Sequence, residues 1–347
     1  MHKDKILAIC NHFNLGHPIN DKINPVSGGL LHRMWQIETN TGIFAIKELD
    51  AEIMQRDGSH KRYNYTESFA RYAKSNGILA SVALLVNNSH LYELNGTTVM
   101  VYPWIVGRSL ESQQITTEQA YQIGMTLGKI HELHANNPAK PDELYEISKF
   151  TNEHWKSIIK ATQKHNLICS SLLERHLPYL IQWNNQYQPN KNAELVISHR
   201  DIDPKNVLWQ DNLSPVLIDW ESVGYINPTE DLLTVALNWG SLDLCFNVDN
   251  YLAVVKGYYA SGRTIDTTQV EQAFNSIIGN MLSWLEYNIS RSIKSESYSM
   301  DTLKISSQEI NKTLGTLHFV ATHQHDFINA ILSLNSIPED RLDQICR

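Results

Sequence analysis

Apolar and polar residues alternate from Met34 to Glu38 and again from Ile43 to Lys47, with Thr41-Gly42 between the two runs. A period of two across a short polar break predicts a β-hairpin. From Tyr65 to Ser75 the texture changes to helix formers with Phe69 and Tyr72 on one face, and Asn76-Gly77 stands at the stop position. Two further strand runs, Leu91 to Leu94 and Thr97 to Tyr102, flank Asn95-Gly96, a two-residue turn suited to a tight hairpin. The first third therefore predicts a small, mostly antiparallel sheet carrying one helix. After Tyr102-Pro103-Trp104-Ile105-Val106-Gly107 the apolar spacing becomes helical. Thr116 and Gln119 form a capping-box pattern ahead of Tyr121, Ile123, Leu127, Ile130 and Leu133. Helical patterns recur around 152–165, 170–187, 229–242, 248–260, 267–293 and 301–334. One segment interrupts them, where the apolar runs Leu195–Ile197 and Val216–Ile218 bracket a polar loop and carry carboxylates at their ends. Such loops are where chemistry is placed on a rigid scaffold.

At 347 residues, with 42% apolar and 19% charged residues, the chain is long enough for two domains and is not a small binding module or a disulfide-knotted peptide. Its net charge of −8 supplies no basic surplus for a run of phosphates, which disfavours general nucleic-acid binding. The imbalance is uneven. Residues 1–105 hold 10 basic and 9 acidic side chains, and residues 106–347 hold 19 and 28. Either the second part simply has more helix surface, or its field attracts a cationic ligand. Cys10, Cys169, Cys245 and Cys346 are scattered, with no CxxC pair and no disulfide framework. No apolar run approaches 18 residues and Met1-His2-Lys3-Asp4-Lys5 has no hydrophobic signal core. The expectation is a cytoplasmic protein that does not span a membrane.

The polar loop carries the informative spacing. His199, Asp201 and Asn206 form H-x-D-x-x-x-x-N, and Asp219 closes the next apolar strand thirteen positions later, followed by Trp220-Glu221. This pattern resembles the catalytic and metal-binding loops of the protein-kinase-like superfamily. More narrowly it is similar to the aminoglycoside phosphotransferase and choline kinase group of small-molecule kinases. The resemblance implies an α+β, two-lobed protein-kinase-like fold, with a nucleotide-binding lobe over 1–105, a hinge at about 102–107, and a mainly α catalytic and substrate-binding lobe over 106–347. It also implies Mg²⁺ and ATP, or GTP, in the cleft between lobes, and a small hydroxyl acceptor.

The residue types suit that chemistry. A carboxylate at Asp201 can orient an attacking hydroxyl and take its proton late in the reaction. Asn206 and Asp219 offer a neutral and a charged oxygen to Mg²⁺, a hard cation that keeps several waters and bridges phosphate oxygens. His199 carries over as loop support. Lys47, at the end of its strand, resembles the superfamily's phosphate-binding lysine, with Glu67 on the following helix as partner. Ser27, Gly28 and Gly29 sit where a phosphate-covering turn is expected, with small residues that admit backbone amides. Tyr102 and Trp104 lie on the hinge, whose backbone groups would read the purine edge. Neither a GxxxxGK[ST] loop nor a GxGxxG fingerprint is present.

Departures from protein kinases narrow the acceptor. Asp219-Trp220-Glu221 leads within twelve residues to Pro228-Thr229-Glu230-Asp231, leaving no room for a protein-docking activation segment. Arg200 stands where many small-molecule kinases have Gly, and Asp203 where they often have His. Lys205 reads either as a solvent-facing lysine or as a phosphate contact. Glu221 either assists the metal or substrate side or pairs with a neighbouring cation. Asp231 reads as a helix cap and loop brace. On the acidic C-terminal part, Trp284 and Tyr287 are candidates for core packing or for a ring facing a cation, and Glu286 for an acceptor amine. His318, His323 and His325 lack the spacing of a metal site. Two other classes compete: a non-haem iron oxygenase built on His199-x-Asp201, and a kinase-like binding protein without turnover. Among kinases, the acceptor alternatives are an aminoglycoside-type antibiotic, favoured, and choline, ethanolamine, homoserine or a sugar. The oligomeric state is not legible.

Overall fold

The computed structural model describes residues 3–19, 23–26, 32–133, 149–187, 194–211, 213–241, 246–293 and 300–335, with side chains omitted for 300–305. The alternating runs near the N-terminus form strands β2 (Arg33–Thr39) and β3 (Gly42–Glu48), paired antiparallel from Arg33↔Glu48 to Thr39↔Gly42. A short strand that the sequence pattern did not suggest, β1 (Asn24–Val26), adds to β2. On the other side, β5 (Thr97–Pro103) pairs with β3 and with β4 (Tyr92–Leu94), giving the order β1-β2-β3-β5-β4. Asn95 and Gly96 both take positive φ, 51° and 73°, the backbone that a tight β4–β5 hairpin demands.

Alternation assigns each face of this sheet a task. Ile37, Ile46, Val99 and Val101 pack with Ile6, Ile9, Cys10 and Phe13 of helix α1 (Lys3–Phe13), an element absent from the sequence reading. The register pair Lys47↔Met100 points to the other face. There Met100 and Leu49 pack with Tyr63 of helix α3 (Ser59–Ser75). The helix begins at Ser59, six residues before the expected Tyr65 and after an N-cap Gly58 with φ 76°, because its first turns are polar and carry no apolar stripe. A single-turn helix, α2 (Ala51–Met54), links β3 to α3 and is capped by the Asp50 side chain.

The capping box of Thr116 and Gln119 opens helix α4 (Thr117–Glu132) as expected. Further on are helices α5 (Asn152–Lys164) and α6 (Ser170–Gln186). The polar segment contains β6 (Val196–Ser198), β7 (Val207–Trp209), β8 (Pro215–Leu217) and β9 (Gly224–Ile226), joined as the pairs β6-β9 and β7-β8. Helices α7 (Pro228–Trp239), α8 (Val248–Ala260) and α9 (Val270–Ile293) follow. The expected helix over 301–334 is two, α10 (Met300–Thr322) and α11 (Gln324–Asn335), broken at His323. Among the described residues no helix is long and apolar enough to cross a membrane.

By compactness the chain divides into one unit of Met1–Leu144 with Ile197–Tyr225 and another of Tyr145–Val196 with Ile226–Arg347. The first therefore holds the sheet, α1 to α4 and the polar loop together. The second is helical around Trp155, Leu173, Trp239, Tyr251, Phe274 and Leu285, all fully or almost fully buried. In it α9 runs so close to Tyr187 that a Cβ at Gly279 would lie 2.5 Å from the ring.

Candidate active site

Every residue of the expected phosphoryl-transfer set within the described chain lies in the first unit. The polar loop leaves β6 at His199, a side chain with no exposed surface. Its Nδ1 accepts from the Asp201 backbone N–H at 3.3 Å, which puts the ring proton on Nε2, where it donates to the Ile218 carbonyl at 3.0 Å. The ring also packs against Trp220 with centroids 4.5 Å apart. His199 thus ties the loop start to the strand exit that carries Asp219.

Pro204 starts a single 3₁₀ turn ending at Asn206. The Asn206 carbonyl accepts from Ile218 N–H at 3.0 Å, which seats Asn206 next to the backbone leading into Asp219. Its Nδ2 donates to the Asp201 carboxylate at 2.7 Å and to the Asp201 carbonyl at 3.0 Å. The amide oxygen is then the face of Asn206 turned away from Asp201. Burial pushes the Asp201 carboxyl up to about 6, reinforced by the Asp203 and Asp219 charges and opposed by Lys205 and the Asn206 amide. Lys205 is more than half exposed and reaches Asp203 at 3.5 Å, which favours the solvent-facing reading.

Lys47 is 7% exposed. Its Nζ lies 2.7 Å from Asp219 Oδ1 and 2.9 Å from Glu221 Oε2. Burial works against the ammonium, but the two carboxylates more than offset it and hold its charge above the ordinary lysine range. The expected Lys47–Glu67 pair is not formed. Glu67, buried on α3, accepts from the Ala83 N–H at 2.7 Å through one oxygen and from the Tyr102 hydroxyl at 2.7 Å through the other. The reason is positional. Tyr102 occupies the same face of the sheet as Lys47 and reaches Glu67 first.

Glu221 pairs with a neighbouring cation in this structure. Besides Lys47 it meets His32 Nε2 at 3.1 Å and the Tyr63 hydroxyl at 3.4 Å. Burial raises such a carboxyl, but Lys47 and His32 outweigh it and hold Glu221 well below the usual carboxylate range. The sequence reading missed His32 and Tyr63, which have no local spacing to mark them. The hinge expectation is also narrowed, because the Trp104 N–H is spent on the Ile43 carbonyl at 2.9 Å and does not serve a purine. Ser27, Gly28 and Gly29 lie outside the described residues.

In the second unit the N-cap of α7 is Asn227, whose Oδ1 accepts from Thr229 and Glu230 N–H, so Asp231 is not the cap. Asp231 is buried in the first helical turn, where a carboxylate favours the helix dipole. Glu286 on α9 is engaged by His154 at 3.2 Å and by the Ser290 hydroxyl at 2.8 Å. Trp284 and Tyr287 stack with centroids 5.5 Å apart.

Two non-glycine residues of the loop are left-handed, Asp219 at φ 63° and Arg200 at φ 65°. The second explains why glycine suits that position. Arg200→Gly is expected to stay within about 1 kcal/mol of the parent in urea unfolding, since relief of strain offsets lost packing. Arg200→Val, β-branched at positive φ, should lose about 1–3 kcal/mol.

Residues 22–263, which include the whole Lys47–Asp219 set, match the phosphotransferase enzyme family. The chain belongs to that family. As a member of the phosphotransferase family it is an enzyme that transfers phosphoryl groups to an alcohol acceptor, and its fold is the α+β kinase-like fold of its structural relatives. An amicoumacin kinase solved with AMP-PNP, Ca²⁺ and Ami is 13% identical, with a TM-score of 0.62 over 89% of this chain and 93% of that one. Spectinomycin phosphotransferase APH(9)-Ia, solved with ADP and spectinomycin, is 16% identical, with a TM-score of 0.61 over 91% and 99%. Choline kinase from Cryptosporidium parvum is 13% identical, with a TM-score of 0.57 over 93% and 97%. A comparison with curated protein sequences finds no match.

Proposed function

We propose that this phosphotransferase is a small-molecule kinase that moves the γ-phosphoryl group of a magnesium-bound nucleoside triphosphate to a hydroxyl of a cationic acceptor. ATP is the donor, with GTP as the alternative, and an aminoglycoside-type antibiotic is the favoured acceptor. The observation that carries this reading is the convergence of Lys47 on Asp219 beside the Asp201–Asn206 pair. Asp201 is the base or orienter of the acceptor hydroxyl. Lys47 serves the α- and β-phosphates. His199 supports the loop. The nucleotide-binding part is 1–105 and the acceptor part 106–347, in a cytoplasmic enzyme with no role for nucleic acid or a membrane.

The donor set fits a magnesium ion. Among the described residues no three His, Cys, Asp or Glu side chains gather as a ready cation site. A hard cation that keeps waters and takes phosphate oxygens needs fewer protein ligands. The Asn206 amide oxygen, left over by the Asp201 contact, and the second Asp219 oxygen, left over by Lys47, would hold it. When bound, the ion neutralises charge on the triphosphate. Asn206 meanwhile orients Asp201, and Lys47 stays charged at neutral pH because of its two carboxylates.

The excess of acidic over basic residues after 106 supports a cationic acceptor. Antibiotic kinases among the structural relatives support the antibiotic class, and choline and ethanolamine kinases support a small amino alcohol as the second reading. Glu286, already within reach of His154, is the proposed contact for an acceptor amine. A nucleotide-consumption screen over aminoglycosides, choline, ethanolamine, homoserine and sugars tests this. Acceptor-dependent ADP release is expected, with one product heavier by a phosphoryl group. Consumption that needs no acceptor from any class, or none at all, would remove the assignment.

A further inference from the structure

Resting on the phosphotransferase reading above, the geometry points to Glu221, braced by His32 and Tyr63, as the positioning residue that holds Lys47 for the nucleotide. Asp219 offers Lys47 one oxygen and is proposed to give its other to the metal, so its hold on the lysine is shared. Glu67 does not pair with it here, its two oxygens accepting instead from the Ala83 amide and the Tyr102 hydroxyl. Glu221 remains, at 2.9 Å from Lys47 Nζ.

Its surroundings are built to fix it. The Asp50 N–H donates to His32 Nδ1 at 3.0 Å, which leaves Nε2 to donate to Glu221 Oε2 at 3.1 Å. His32 and Tyr63 are each less than 9% exposed, and their polar atoms lie 2.9 Å apart. Arg62 donates to the Glu221 carbonyl at 3.3 Å and so holds the backbone of this residue. Phe69 of α3 packs near Trp220, with ring centroids 6.2 Å apart. Helix α3 therefore does engage the lysine's counter-charge, but through Tyr63, one turn before Glu67, and through a carboxylate carried by the strand exit.

ATP binding to the full chain, measured by calorimetry with Mg²⁺ and with EDTA, tests this assignment. Glu221→Gln should weaken ATP binding about tenfold or more in both conditions, since the lost partner belongs to the lysine. His32→Gln and Tyr63→Phe should each weaken it less, with the fold checked by thermal melting, and neither should add to the loss in a Glu221→Gln background. A loss confined to Mg²⁺ conditions would make Glu221 a metal-side residue and overturn the inference. So would unchanged affinity in Glu221→Gln with the loss appearing in Glu67→Gln, or full additivity of His32→Gln with Glu221→Gln. A parent chain that binds no ATP under either condition would overturn the kinase reading itself.

Discussion

Asp201→Ala is expected to turn over its acceptor about 10²- to 10⁴-fold more slowly than the parent while binding Mg·ATP as before. The carboxylate lies against the nitrogen side of Asn206, away from the amide oxygen proposed for the metal. Its described contact is the Asn206 amide at 2.7 Å. Removing it takes away orientation and proton acceptance at the acceptor hydroxyl and leaves Lys47, Asp219 and Glu221 in place. The pH profile gives an independent signature. Burial lifts this carboxyl from 3.8 to about 6, so a base that must be ionised gains activity as pH rises through about 6 and levels off above it. The stability effect has the opposite sign. A folded-state value above the unfolded one means that ionisation opposes folding, so this group's cost is absent below about pH 4 and complete above about 6. Single-turnover rates and ATP titrations of Asp201→Ala, with the parent rate followed from pH 5 to 8, provide the check. Near-parental turnover, or a parent profile flat through 6, would remove the residue's role.

Asp219→Ala should lose the strengthening of ATP binding by Mg²⁺ altogether. The residue follows Ile218, whose amide is bonded to the Asn206 carbonyl, so the side chains of 206 and 219 leave adjacent backbones. Its charged oxygen is the only one in the proposed metal pair. Lys47 would keep Glu221 as a counter-charge, so metal-free ATP binding should persist and the two conditions should converge. The backbone complicates the substitution, because φ at 219 is 63° and alanine adopts it at a cost of order 1 kcal/mol. Asp219→Asn removes the charge but tolerates the left-handed conformation. It separates the two effects: loss of Mg²⁺ dependence in both variants belongs to the carboxylate, and loss in alanine alone belongs to the loop. Retained Mg²⁺ dependence in both would exclude Asp219 as a ligand.

What could be read in the sequence was what neighbouring residues decide. The Asn95-Gly96 turn and the Thr116–Gln119 box are local devices, and both are present where the residues stand. The runs on either side of Thr41-Gly42 were enough to put Lys47 near the end of a strand. The choice between Glu67 and Glu221 was not local, because it turns on Tyr102 reaching Glu67 and on His32 reaching across 189 positions to Glu221. Spacing carries no trace of either contact. The break at His323 was hidden for a related reason. Neither Gly nor Pro marks it, and the apolar repeat runs on through Phe319 and Phe327.

Arg200 and Gly224 form a coupled pair. A Cβ placed on Gly224 would come within 2.8 Å of the Arg200 guanidinium, so the arginine lies in the volume that a side chain at 224 would need. The two positions should therefore drift together in descent. Glycine at 200 would give alanine or serine room at 224, whereas with the arginine present a side chain at 224 requires the guanidinium to swing aside.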